Sequence, residues 1–440
     1  MNPARNCALK ALIQFRRENA WTDLYLKNSL SQLSSEDAAL CTAITYGVLQ
    51  NMSIIDHYIS HYSSIKLNKI MPQVLDALRC GVYQIVFMDR IPIFAAVNET
   101  VALVKKHANP RAGAFANAVL RKIAADKDNL PNVQKDDPIE YLSVRYSHPY
   151  WLTKRLSDQF GYSEAEQIMA ANNTEAPAYI RVNTLKKEVD ELIGLLKEEG
   201  ADAQRVQGIN GTLLCRYERP LHQTEAFRKG LFYIQDLASQ LAVTLLAPTA
   251  GDSVIDMCSA PGGKSIVCAQ LMQNKGSIKA FDLHEHKINI IDQNASKYGI
   301  DIISAAACDS TVLLPRLVSS ADRVICDVPC SGLGIIRKKP DIRFKSEDSI
   351  KNLPEIQYKI LKNAAAYVKP GGRLLYSTCT VINEENSDII KRFLSENGDF
   401  VLSPFDNPVT GTTNGCITLL PHKHNCDGFF IALLDRKKNG

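Results

Sequence analysis

The chain has 440 residues, 45% hydrophobic and 22% charged, with 51 Lys and Arg against 47 Asp and Glu. That length asks for two or three domains, and the composition excludes a disordered or fibrous protein. A formal charge of +4 permits nucleic-acid binding without demanding it, and no apolar run is long enough to cross a bilayer.

The N-terminus, MNPARNCALKALIQFRREN, lacks the unbroken apolar core of a signal peptide and reads as an amphipathic helix with Leu9, Leu12 and Ile13 on one face. A cytoplasmic protein is expected, with no membrane partner. Residues 1–126 hold helix-length apolar segments at 38–49, 54–62, 74–87, 95–106 and 112–123 and no strand pattern, so an all-α domain is expected there. Residues 127–139 are charged, carry two prolines and read as a linker. Residues 140–235 mix a helix at 163–173, a strand at 179–186, a helix at 188–199 and strand-like pieces at 212–216 and 231–234, the pattern of a small α+β module. Over 236–440 strands and helices alternate, as in a parallel sheet covered by helices. The fold class is therefore multidomain: an all-α domain, a small α+β module and a C-terminal α/β Rossmann-like domain. A monomer is expected.

The stretch DMCSAPGGKS (256–265) ends like a phosphate-binding P-loop, but that motif needs a glycine where Cys258 stands. The context remains that of a ligand loop. An apolar strand precedes it, a helix follows, and Gly262 and Gly263 let a ligand approach the backbone. Asp282 ends the next strand, where an acid suits a ribose diol, and Asp309 ends the third, placed for an adenine-like group. The other reading is a capping aspartate and a glycine turn. Three strand-end signals in a row favour an adenosine-containing ligand without a triphosphate.

None of the twelve cysteines forms a C-x-x-C pair, and in a reducing compartment most should be buried thiols. Cys326 and Cys268 read that way. Cys330, in DVPCSGLG (327–334), and Cys379, in YSTCTV (376–381), each fall just past a strand, with Asp327 three residues before Cys330. A thiolate adding to C6 of cytosine turns C5 into a nucleophile, and the thiolate must later be expelled, so two thiols and a carboxylate fit that chemistry. Cys416, His422, His424 and Cys426 match no standard zinc spacing, and no metal is expected.

The motifs DMCSAPGGKS, DVPCSGLG with RKKPDIRF, and YSTCTVINEEN resemble those of the Sun-type RNA cytosine-5 methyltransferases. Ser259 and Val328 stand where that family usually has alanine. AAVNETVALVKKH (95–107) and FANAVLRKI (115–123) resemble the NusB fold, an RNA-binding helical domain. The combination is similar to the bacterial branch of the family that acts on 16S rRNA. The resemblance implies S-adenosylmethionine as methyl donor, a class I methyltransferase domain, and a donor site lined by Cys258, Ser259, Ala260, Pro261, Gly262, Gly263 and Lys264. It implies Asp282 on the ribose, Asp309 on the adenine side, and Asp327 at the junction of donor and base N3. It favours Cys379 as nucleophile and Cys330 in product release, a choice that the chemistry of the residues leaves open. Beside such a site, the run Arg337, Lys338, Lys339 and Arg343 is expected to bind RNA phosphates. A non-catalytic RNA-binding or antitermination factor is the alternative, and an ATPase is disfavoured by Cys258.

Overall fold

The computed structural model describes residues 2–18, 22–217 and 220–438 and divides into two compact units. One holds the residues up to Asn173 together with Lys338–Lys345; the other holds Thr174–Arg337 and the residues from Ser346 on.

The first unit is helical throughout its described residues. Its helices include Pro3–Glu18, Ser35–Gln50, Met52–Tyr62, Pro72–Phe87, Ile93–His107 and Pro110–Ala125. Their starts follow from local chemistry. Ser34 accepts the Asp37 amide, Asn109 accepts the Ala112 amide, and Pro72 and Pro110 occupy first-turn positions that need no donor. Ile55, Leu78, Val82, Leu103 and Leu120 pack as one core. Three further helices, Pro138–Arg145, Tyr150–Phe160 and Tyr162–Asn172, fall in this unit.

In the second unit, strands β1 (Ala178–Val182), β2 (Ala201–Arg205), β3 (Thr212–Tyr217) and β4 (Phe232–Ile234) form an antiparallel sheet in the order β2-β3-β1-β4. The helix Val189–Glu198 packs on it through Leu192 and Leu196. The unanticipated β2 turns only Ala201 and Ala203 inward, a weak apolar signal.

The larger sheet contains β5 (Ser253–Asp256), β6 (Ser277–Asp282), β7 (Ile303–Ala307), β8 (Ala321–Asp327), β9 (Val368–Thr378) and β10 (Phe400–Leu402). Beyond the small hairpin of β11 (Phe405–Asn407) and β12 (Gly411–Thr413) come β13 (Cys416–Leu419) and β14 (Phe429–Arg436). The order is β10-β14-β9-β8-β5-β6-β7, with β13 also pairing β14. Strands β5 to β9 run parallel, so their carboxyl ends share one edge. The sheet is not wholly parallel as expected: β14 runs antiparallel between β9 and β10. Val254 joins the core on one face and Ile255 that on the other, as expected of a strand covered on both sides. No single helix among the described residues is long and apolar enough to cross a membrane.

Candidate active site

The carboxyl ends of β5, β6 and β8 each carry an aspartate, because the apolar run of each strand stops where the chain leaves the core. After Asp256 the chain turns through Cys258–Gly262 into the helix Gly263–Leu271. Gly262 has φ +97°, a conformation that a side chain would strain. Ser265 donates to Asp256 Oδ2 at 2.7 Å and shares a 3.0 Å hydrogen bond with Ser259, pinning the loop.

A cleft of about 190 Å³ opens here. It is lined by Tyr233, Ile234, Gln235, Ser239, Asp256, Cys258, Ser259, Ala260, Pro261, Gly263, Lys264 and Asp327. Two buried acceptors in this lining, Asp256 Oδ1 and Gln235 Oε1, have no donor among the described residues. Burial pushes the Asp256 carboxyl up to about 6, against the pull of the Ser265 hydrogen bond. Cys258 is raised as a thiol, first by burial and then by the surrounding aspartates.

Asp327 Oδ2 accepts from Lys264 Nζ at 2.7 Å and its Oδ1 accepts from Ser377 at 2.7 Å. Burial works against the lysine's charge, but Asp327, Asp256 and Cys379 together hold its pKa above the ordinary value. Cys330 and Cys379, from loops after β8 and β9, place their sulfurs 3.1 Å apart, both half-buried. The Cys379 sulfur and burial, with the Glu385 charge, hold Cys330 as a thiol. The loop beyond Cys330 is clasped by backbone. Gly334 donates to the Cys379 carbonyl at 2.9 Å, and Gly428 donates to the Gly334 carbonyl at 2.8 Å. A Cβ on Gly334 would fall 1.8 Å from the Gly428 oxygen, so only glycine fits.

The structure thus brings the residues from Cys258 to Lys264 together with Asp327, and sets the two thiols against each other. Asp282 and Asp309 stand apart from the cleft lining, Asp282 at the end of β6 and Asp309 two residues beyond β7. Asp282 is 7% exposed and accepts the amides of Ala260 and His284, with Lys287 at 3.4 Å. Asp309 is exposed. Its carboxyl is held below the usual range by hydrogen bonds from the Thr311 hydroxyl and amide.

The basic run divides. Lys338 is exposed. Arg337 is half-buried and donates to the carbonyls of Thr174 and Glu175. Arg343 corrects the expectation of a phosphate contact, for it is 0% exposed. Its guanidinium donates to the carbonyls of Gln50 (2.7 Å) and Ser147 (2.8 Å) and to Asn173 Oδ1 (2.9 Å). These acceptors lie at the C-terminal ends of the helices Ser35–Gln50, Pro138–Arg145 and Tyr162–Asn172, where carbonyls lack helical partners and a cation is favoured.

Sequence reasoning missed Gln235, Ser239 and the unpartnered oxygen of Asp256. Their only signals were the segment YIQDLASQL and an acid inside an apolar strand.

Three family models match. One described as 16S rRNA methyltransferase RsmB/F covers residues 243–435, the NusB family covers 2–125, and the ferredoxin-like domain of RsmF/B-like methyltransferases covers 148–216. A probable ribosomal RNA small subunit methyltransferase B of Bacillus subtilis (strain 168) is 34% identical, over 98% of each chain. A relative of the same name from Synechocystis sp. is 32% identical over 99% of this chain and 100% of its own. The crystal structure of PH0851 has a TM-score of 0.81 at 29% identity, over 99% of each chain. A methyltransferase homolog from Pyrococcus horikoshii has a TM-score of 0.61 at 29% identity, over 69% of this chain and 100% of its own. With relatives matched along their whole length and the NusB, ferredoxin-like and methyltransferase segments in order, the chain belongs to the ribosomal RNA small subunit methyltransferase B family.

Proposed function

We propose that the protein methylates C5 of a cytosine in 16S rRNA through a covalent adduct between Cys379 and C6 of the base. The observation that carries this reading is the 3.1 Å approach of the Cys330 and Cys379 sulfurs at the carboxyl edge of the sheet.

S-adenosylmethionine, when bound, supplies an electrophilic methyl group. We assign its binding to the loop from Cys258 to Lys264, with Asp282 for the ribose and Asp309 for the adenine side. The fit is supported by the unpartnered oxygens of Asp256 and Gln235 in the cleft, since that donor brings an ammonium and hydroxyls.

The protein's own groups divide the work. Attack by the Cys379 thiolate forms the C6–S bond and moves a ring electron pair toward C5, with charge developing at N3. Asp327, hydrogen-bonded by Ser377 and Lys264, is assigned to the base edge at N3, where as the carboxylic acid it would give N3 a proton as the charge develops and take it back on release. Release requires the C5 proton to leave to solvent, the C5=C6 bond to re-form and the C6–S pair to return to Cys379. The Cys330 S–H is positioned to hydrogen-bond the departing sulfur. Lys338 and Lys339 are assigned to RNA phosphates.

The test is transfer of labelled methyl to 16S rRNA, followed by bisulfite sequencing. Label at a single cytosine supports the reading; no transfer, or label on another base, refutes it.

A further inference from the structure

The loop that carries Cys330 is gripped from below by a carboxylate and an amide with no part in the chemistry so far described. Glu385 lies in the 3-10 turn Asn383–Glu385 that follows Cys379, and Gln357 lies on the helix Leu353–Tyr367. They are 1% and 0% exposed. Glu385 Oε2 accepts the Ser331 amide at 2.9 Å and the Gln357 side-chain amide at 2.7 Å. The same Gln357 nitrogen donates to the Pro329 carbonyl at 3.0 Å. The peptide groups on both sides of Cys330 are therefore tied to one buried pair. Ser331 also donates to Thr380 at 2.8 Å, which links the Cys330 loop to the residue after Cys379.

Burying a carboxylate is costly, and a neutral acceptor would satisfy the Ser331 amide at less expense. Glu385 brings in addition a negative charge that disfavours a thiolate at Cys330. One of its oxygens, Oε1, and Gln357 Oε1 have no partner among the described residues, so the site is not arranged simply to satisfy buried polar atoms.

We propose that Glu385, held by Gln357, is a positioning residue for the Cys330 thiol and sets the rate of product release while leaving attack by Cys379 unchanged. This inference rests on the covalent reading given under Proposed function.

The test uses the full-length protein, 16S rRNA and labelled donor, and follows three quantities: the first-turnover burst of methyl transfer, the steady-state rate, and RNA adduct on denaturing gels. Glu385→Gln keeps the shape and removes the charge; Gln357→Leu cuts the tie to Pro329. Both are expected to keep the burst and the KM for the donor, to lower kcat about tenfold and to accumulate adduct. In a Cys330→Ala background, Glu385→Gln is expected to add nothing, because it acts only through that thiol. Wild-type turnover in both variants overturns the inference. So does a burst that falls together with kcat and the unfolding temperature, which marks a merely structural role. If Cys330→Ala accumulates adduct while both variants release normally, only this inference fails. If Cys330→Ala accumulates none, the covalent reading beneath it fails as well.

Discussion

Lys264 Nζ lies 2.7 Å from Asp327 Oδ2, although the two residues are separated by 63 positions, Lys264 in the helix after β5 and Asp327 at the end of β8. Lys264 is the cation set among Asp327, Asp256 and the thiol of Cys379. Replacing it with Met strands two carboxylates near each other. Asp327 keeps 27% of its side-chain exposure, so we expect a stability loss of about 2–3 kcal/mol, less than for a fully buried pair. Methyl transfer should fall about a hundredfold. Adding Asp327→Asn should restore the melting temperature and not the rate. Recovery of both would remove the pair from the chemistry.

Cys379→Ala should abolish methyl transfer and form no covalent RNA adduct. Cys330→Ala should attack and methylate, then stall, leaving an adduct that survives denaturing electrophoresis, because blocking the second of two covalent steps traps the intermediate. The opposite pattern would make Cys330 the nucleophile.

Asp282→Ala should weaken binding of the methyl donor by about 1.5–3 kcal/mol if a charge-assisted hydrogen bond to its ribose is lost. Calorimetric titration reads this directly, and unchanged affinity sinks the ribose assignment. Because Asp282 also accepts the Ala260 amide, Asp282→Asn, which keeps an acceptor, should lose less.

Asp256 predicts a pH dependence. Its folded pKa, about 6, lies above the ordinary 3.8, so the folded state pays for its ionised form at pH 7. That penalty is relieved as pH falls from about 6 toward 4. Asp256→Asn should therefore be more stable than the wild type at pH 8, by up to about 3 kcal/mol, with the difference vanishing near pH 4. Chemical unfolding across that range checks the sign. A variant less stable at pH 8 would mean that the Ser265 hydrogen bond outweighs the burial cost.

The basic run gives a contrast within a few residues. Arg343→Ala leaves helix-end carbonyls unsatisfied and should cost about 3 kcal/mol or more in thermal unfolding. Lys338→Ala and Lys339→Ala, at an exposed and a half-buried position, should cost less stability than Arg343→Ala. Each should lower RNA affinity and reduce the salt slope by about one. Equal salt slopes in wild type and lysine variants would remove this segment from the RNA surface.

The contrast also marks where sequence reasoning stops. Strand ends were legible because an apolar run that closes on Asp256, Asp282 or Asp327 announces both a strand and its exit from the core. Cys330 and Cys379 stood out by their position after such runs. Arg343 did not, since a charge run ordinarily marks a solvated face, and nothing local shows that three helix ends converge on it. Lys264 with Asp327, and Glu385 with Ser331, are pairs between distant segments that only the folded sheet brings together. The antiparallel β14 reads FFIALL, an apolar run that fixes burial on both faces and leaves direction open.

The clasp between Gly334 and Gly428 bears on the order in which the sheet edge is completed during synthesis. The loop that carries Cys330 is secured by backbone from just before β14, and β14 lies beside β9, the strand that presents Cys379. Domains generally begin folding while later residues are still being added. Here the glycine clasp and the pairing of β14 with β9 close only once residues 428–436 have emerged, and the carbonyls of Gln50 and Ser147 wait for Arg343 as well. A nascent chain therefore passes through an interval in which it has most of its helices and a Cys330 loop without its glycine clasp. A chain cut short before residue 428 would lack both that clasp and the strand beside β9.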